Sequence, residues 1–240
     1  MNNPNMDNPL PLREDTGPSL PWSLMDTWIG LGLLVMILAA FVVVASVFRP
    51  LRVNQAFILV FTELIFIFPV LIVLTVRHAN YKLLGYRRFK PGFIGIGFVL
   101  VAASYMITIL NNAIFVKLGI SIQADEIKRL LDKLSSPYPF IFTAVILAPI
   151  VEETFFRGFL FGGFRQRYGD PKAALLSSAI FAAAHFQWAA LIPTFMLGYI
   201  FAYLYRKSNS ILPGMLMHFA VNAFGIMIIF LSQRSGLFTP

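Results

Sequence analysis

The chain has no cysteine. Disulfides, thiolate metal sites and a cysteine nucleophile are therefore excluded, and with them a large class of hydrolases. Charge is also scarce. Asp, Glu, Lys and Arg make up 12% of the 240 residues, against about 25% in soluble domains. So little charge cannot cover the surface of a water-soluble protein of this length. Histidine is rarer still, at three residues. The first 22 residues are rich in Asn and Pro and lack a basic cluster ahead of an apolar run, so no cleavable signal peptide is expected there.

Apolar residues fill the space that charge leaves: 58% of the chain, including 25 Phe. This balance excludes a soluble enzyme, a nucleic-acid-binding domain and a disordered chain. It points to an integral, multi-pass membrane protein whose general partners are membrane lipids. The net charge of +8 then reflects Lys and Arg gathered in loops on the cytoplasmic side, with no nucleic acid partner.

A bilayer demands roughly 20 apolar residues per helix. Runs of that kind cover residues 27–48, 56–76, 93–115, 139–161 and 211–231. The stretch 173–205 has 33 residues, too few for two full spans and a turn, too many for one straight span. A hairpin of two shortened helices, turning near 187–193, fits best. Shortened helices are tolerated at membrane depth only where they line a protein-buried or wet cavity. Residues 119–136 alternate Ile and Leu with charges at helical spacing and read as an amphipathic surface connector. The expected fold is all-α, a polytopic transmembrane bundle of about seven helices, including the short hairpin and the surface helix. Residues 1–22 are expected to be a mobile tail and 23–240 a single membrane domain.

With the N-terminus inside, inner loops hold eleven basic residues: Arg13, Arg77, Lys82, Arg87, Arg88, Lys90, Arg165, Arg167, Lys172, Arg206 and Lys207. Outer loops hold seven: Arg49, Arg52, Lys117, Lys128, Arg129, Lys133 and Arg234. The bias predicts a cytoplasmic N-terminus, in the plasma membrane of a bacterium or the endoplasmic reticulum of a eukaryote.

Ionisable residues inside membrane spans are costly and are functional candidates by default. Here they are Glu63, Glu152, Glu153, Arg157, His185 and His218. Successive helical residues point about 100° apart, so Glu152 and Glu153 face different ways. Arg157 is four residues beyond Glu153, the spacing of a same-face ion pair. Glu152 is then left unpaired, as suits a general base or acid. The structural alternative is one network of all three that ties helices together. His218 and Asn222, also four apart, can aim two donors at one point, as an oxyanion hole requires. Their alternative is an interhelical hydrogen bond. Counted at 1.5 Å per residue, Glu152 lies about 18 Å deep, His185 about 20 Å and His218 about 14 Å, which puts all three in one layer. Gly158 and Gly162 form a small pair that would admit another helix. Pro149 would kink the helix just ahead of the glutamates.

Glu152-Glu153-x-x-x-Arg157, then Phe181-x-x-x-His185, then His218-x-x-x-Asn222, in this order and spacing, resemble the CPBP (Abi) family of intramembrane proteases. These are the type II CAAX prenyl endopeptidases and their bacterial relatives. The resemblance covers about residues 138–231, the expected catalytic core. It implies a membrane peptidase acting on a peptide or prenylated-peptide substrate. Carried over, Glu152 and His185 would activate a water, His218 and Asn222 would stabilise the oxyanion, and Glu153 and Arg157 would support them. No cofactor is expected. If a metal were used it would be zinc on Glu152, His185 and His218, but the chain has no His-Glu-x-x-His helix. Two other readings use the same residues. One is a non-catalytic binding or immunity protein on this fold. The other is a transporter with Glu63, Glu152 and His185 as a proton relay, which would call for inverted repeats that the sequence does not display. Glu63 matches no family motif and is expected to pair with a neighbouring helix or to lie near the interface. His78, in a basic loop, is expected to be solvated.

Overall fold

Residues 20–47 and 55–235 are described by a computed structural model. Arg13, Arg49, Arg52 and residues 1–19 of the expected tail lie outside the described residues. Within them the chain forms helices and turns and no strand. The helices are α1 (Leu24–Val47), α2 (Gln55–Ile65), α3 (Ile67–Val76), α4 (Gly92–Lys117), α5 (Gln123–Leu131), α6 (Tyr138–Phe142), α7 (Ala148–Glu153), α8 (Gly162–Ala183), α9 (Leu191–Ser208) and α10 (Leu212–Ser235). Helices α6 to α8 run on through two π-helical segments, Thr143–Leu147 and Thr154–Phe161.

Six helical stretches among the described residues are long and apolar enough to cross a bilayer: Leu24–Val44, Phe57–Val76, Gly92–Lys117, Tyr138–Ala183, Trp188–Ser208 and Leu212–Gln233. The fourth, of 46 residues, is not one rod. Gly169 adopts φ 73° and ψ 167°, a conformation open in practice only to glycine, and breaks it into a long helix and a short arm. Pro171 then falls in the arm's first turn, where its missing N–H costs nothing. The chain is an all-α, polytopic integral membrane protein.

That arm and α9 form the expected hairpin. Its turn lies at residues 184–190, earlier than expected, because Pro193 sits in the first turn of α9, a position proline tolerates. At the tip, Asn111 of α4 donates from Nδ2 to the Ala189 carbonyl at 2.7 Å. At the open end, the Asp170 carboxylate forms ion pairs with Arg165 at 2.9 Å and with Arg206 at 2.8 Å. At the corresponding ends of α1 and α3, Arg77 grips Asp26 with Nη2 on Oδ1 at 2.7 Å and Nε on Oδ2 at 3.1 Å. The Arg77 guanidinium is held above its ordinary pKa by that carboxylate.

The core is aromatic. Phe155, Phe156, Phe159, Phe161 and Phe164 are all buried, as are Phe181 and Phe201 of the hairpin. On the outside, Val42, Val43 and Val44 of α1 and Phe98, Val99, Met106 and Leu110 of α4 are exposed, the surface that lipid covers. Packing begins earlier than the expected tail boundary. Trp22 is buried against Phe159, with ring centroids 5.9 Å apart, and its carbonyl accepts from Gln166 at 3.0 Å. Burial of a large indole face outweighs the polar composition around it. The small pair also acts differently from expectation. Gly158 abuts the backbone of Leu84 in a surface turn, and Gly162 faces Leu20 and Trp22. Helix α1 makes its close approach at Gly163, where Thr27 leaves no room for a Cβ. Helix α5 closes one end of the bundle by packing Ile127, Leu130 and Leu131 on Phe140, Ile226 and Ile229.

Candidate active site

The site is built around α7 and the two π-helical segments that flank it, a distortion frequent at functional sites. In the first segment the Ala148 N–H bonds to the Thr143 carbonyl, five residues back. In that register the Ala144 carbonyl would need the N–H of residue 149, which is proline and has none. Asn222 of α10 takes this carbonyl instead, donating from Nδ2 at 2.8 Å. Pro149 thereby registers α10 against α7. Nδ2 retains a second N–H for another acceptor. In the other π-helical segment, the Phe156 carbonyl accepts from Ser177 Oγ of the hairpin at 2.7 Å.

Glu153 and Arg157 form the ion pair their spacing suggested, Oε1 to Nη1 at 2.8 Å, with both side chains 0% exposed. Arg157 is otherwise enclosed by rings: its guanidinium carbon is 4.3 Å from the Phe181 centroid and 5.3 Å from that of Phe201. A Cβ on Gly198 would lie 3.1 Å from Arg157 Nη2. His218 is stacked on Phe201 at 5.2 Å and meets Phe181 edge-on at 5.8 Å. Its Nδ1 is 3.2 Å from Glu153 Oε1 and its Nε2 3.7 Å from Glu152 Oε2. The two glutamates do point apart on the helix, yet they share a partner. One imidazole, with nitrogens on opposite edges, spans the angle between them.

Glu152 differs from its neighbour. Its Oε2 has no hydrogen-bond partner, and its side chain is 12% exposed. His185 is also partly exposed. Its Nδ1 lies 2.9 Å from the Phe181 carbonyl, which can only accept. Nδ1 therefore carries the hydrogen and Nε2 the lone pair. The His185 ring rests on Phe181 at 4.9 Å, so Phe181 is a shared wall between the two histidines. Among the described residues no hydrogen bond joins His185 directly to Glu152. Nor do any three His, Asp or Glu side chains there converge as a metal-ligand set.

Three further residues approach the site without any motif to announce them. Tyr86, in the loop between α3 and α4, bonds through its hydroxyl to Thr154, next to Glu153. Burial raises the pKa of its phenol above the ordinary value. Gly214 lets Glu153 approach α10, since a Cβ there would stand 3.3 Å from Glu153 Oε2. Glu63 of α2 has a buried Oε2 with no hydrogen-bond partner and lies within electrostatic reach of Glu152 and His218. Its only sequence signal was an ionisable side chain within a span. His78 is exposed in its loop.

A buried Glu–Arg–His core thus lies beside a half-open Glu and His inside the apolar bundle of a polytopic membrane protein. Residues 134–224 match the family model described as type II CAAX prenyl endopeptidase Rce1-like. The chain is 26% identical over 140 residues to a Bacillus subtilis protein named "Putative membrane peptidase YdiL", covering 56% of this chain and 57% of that one. It is 30% identical over 136 residues to the UPF0177 protein YxdF of Lactococcus lactis, covering 55% of this chain and 72% of the relative. An uncharacterized 24.3 kDa protein of Escherichia coli is 35% identical over 92 residues, covering 36% of this chain and 42% of that one. The chain thus spans little more than half the length of the first relative and less than half of the third. No solved structure matches significantly. The chain belongs to the type II CAAX prenyl endopeptidase Rce1-like family.

Proposed function

We propose that this protein is an intramembrane endopeptidase that hydrolyses peptide bonds with a water activated by Glu152 and His185, without a metal. One observation carries the reading. The buried carboxylate, Glu153, is neutralised by Arg157, while the carboxylate beside it, Glu152, keeps a free oxygen and partial access. Glu152 takes one hydrogen of the water as a proton. The Nε2 lone pair of His185 accepts the other hydrogen and orients the oxygen. As the oxygen attacks the peptide carbonyl, negative charge develops on the carbonyl oxygen. His218 Nε2 and the second N–H of Asn222 are the donors for it, a contribution commonly worth about 10²–10³ in rate per donor. Glu153 holds His218 at Nδ1 and Arg157 fixes Glu153, so both act as positioning residues.

The substrate is a peptide presented at the membrane, of CAAX type or related. The N-terminus is cytoplasmic, a reading supported by the basic residues that collect at the end of the bundle carrying Arg77, Arg165 and Arg206. The test incubates the purified protein, Glu152→Ala and His185→Ala with farnesylated and unmodified peptides and follows cleavage by mass spectrometry. Cleavage is expected for the wild type and lost in both variants. Unchanged cleavage in Glu152→Ala would refute the assignment, and a phenotype that survives Glu152→Gln would favour a binding protein. One zinc per chain, with activity lost on chelation and restored by zinc, would sink the metal-free mechanism.

A further inference from the structure

Helix α2 lies outside the motif-bearing core, yet it packs along the same seam. Leu59, four residues before Glu63, joins the cluster of Phe140 and Ile226. Phe66, three residues after it, packs edge-on against Phe155 at 5.7 Å. Glu63 shares their face. It therefore falls between these two levels, opposite α7, the helix that carries Glu152. Its Oε2 and the Oε2 of Glu152 are both buried, and neither has a hydrogen-bond partner. Two such carboxyls that face each other across an apolar interior repel when both are ionised, and form a stable arrangement when one hydrogen is held by the pair. Arg157 gives its hydrogen bond to Glu153 and reaches Glu152 only through space. The charged and titratable groups on Glu63 from the packed elements are Glu152 and His218.

We infer that Glu63 is a further catalytic residue of this site, the acid that partners Glu152 as base. The inference rests on the peptidase reading. In the attacking step, Glu152 takes a proton from the water as the O–C bond forms and the carbonyl electron pair moves to the oxyanion. In the collapse, the C–N bond breaks and Glu63 gives its proton to the departing nitrogen, which leaves as a neutral amine. Glu152 then returns the proton it gained to Glu63. The sum is peptide plus water giving acid plus amine, with both carboxyl groups restored. An amine is a poor leaving group without that proton, whereas the nitrophenolate of an activated ester leaves readily unprotonated.

The test uses the full-length protein and a membrane-anchored peptide made in two versions, with an amide or a nitrophenyl ester at the cleaved bond. Glu63→Gln is expected to lose about 10²–10⁴ in kcat on the amide, with KM little changed, and far less on the ester. Glu63→Asp should recover part of the amide rate, and Glu152→Ala should lose both substrates. A parallel loss on amide and ester, or an unchanged amide rate, overturns the proposal while leaving the peptidase reading intact. If the wild type cleaves neither substrate, the peptidase reading itself fails. The pairing is then judged by infrared spectroscopy. The Glu63 side-chain band, identified by its loss in Glu63→Gln, should shift in Glu152→Gln. A band that does not move overturns the pairing.

Discussion

Replacing Arg157 by Met would remove the guanidinium that pairs with Glu153 while keeping most of the apolar stem, and would leave Glu153 with His218 Nδ1 at 3.2 Å as its remaining partner. Both side chains are 0% exposed, and Arg157 Nε and Nη2 have no hydrogen-bond partner, so the polar anchor is the single 2.8 Å contact to Glu153. The rest of the guanidinium lies on aromatic faces, the nearest at 4.3 Å. Breaking a buried pair from one side costs about 3–5 kcal/mol, since the other charge is left uncompensated. The lost cation–π contacts add roughly 0.5–2 kcal/mol. At roughly 2–4 °C per kcal/mol for chains of this size, the pair alone predicts a fall in Tm of about 6–20 °C. The assay is thermal unfolding in detergent micelles followed by circular dichroism. The decisive variant is Glu153→Gln with Arg157→Met, in which neither charge remains. It should be more stable than Arg157→Met alone, with a coupling energy of about 2–3 kcal/mol. A loss below about 1 kcal/mol in the single variant, or strictly additive effects, would refute the claim that burial makes this pair interdependent.

Three other outcomes are expected. Gly198→Ala would press a methyl within 3.1 Å of Arg157 Nη2 and 3.0 Å of Phe181, so unfolding should show a loss of about 1–3 kcal/mol, and Ala-level stability would contradict the packing. Asp170→Asn would release the open end of the hairpin from Arg165 and Arg206, with a loss near 1 kcal/mol and faster proteolysis at residues 165–172; an unaltered cleavage pattern would show that the clasp does nothing. The absence of cysteine makes topology directly readable with single introduced cysteines. Impermeant reagents should label Lys82→Cys from the cytoplasmic side and Lys128→Cys from the opposite side, and the reverse pattern would invert the orientation.

Much of the architecture was legible because a bilayer imposes length and polarity one segment at a time. Spans, hairpin and surface helix each follow from a local count of apolar residues. The Glu153–Arg157 pair was legible for the same reason, since four residues along a helix is a local distance. The tail boundary was not, because Trp22 is buried by Phe159 and Gln166, residues more than 130 positions away. The π-helical segments escaped as well. Pro149 suggested a kink, but the rearranged bond from Ala148 to Thr143 and its repair by Asn222 depend on the arrival of α10.

The sequence by itself determined the solvent, the fold class and the ordered set of Glu, Arg, His and Asn residues, because composition and helical spacing are local properties. Tertiary structure alone decided how those residues divide. It made His218 the shared partner of both glutamates, enclosed Arg157 in aromatic rings and brought Glu63 toward Glu152 across 89 positions of chain. Such meetings are set by which helix faces pack together. In a membrane, where lipid satisfies apolar surface anywhere, that choice rests on close packing and on the few polar groups that need partners.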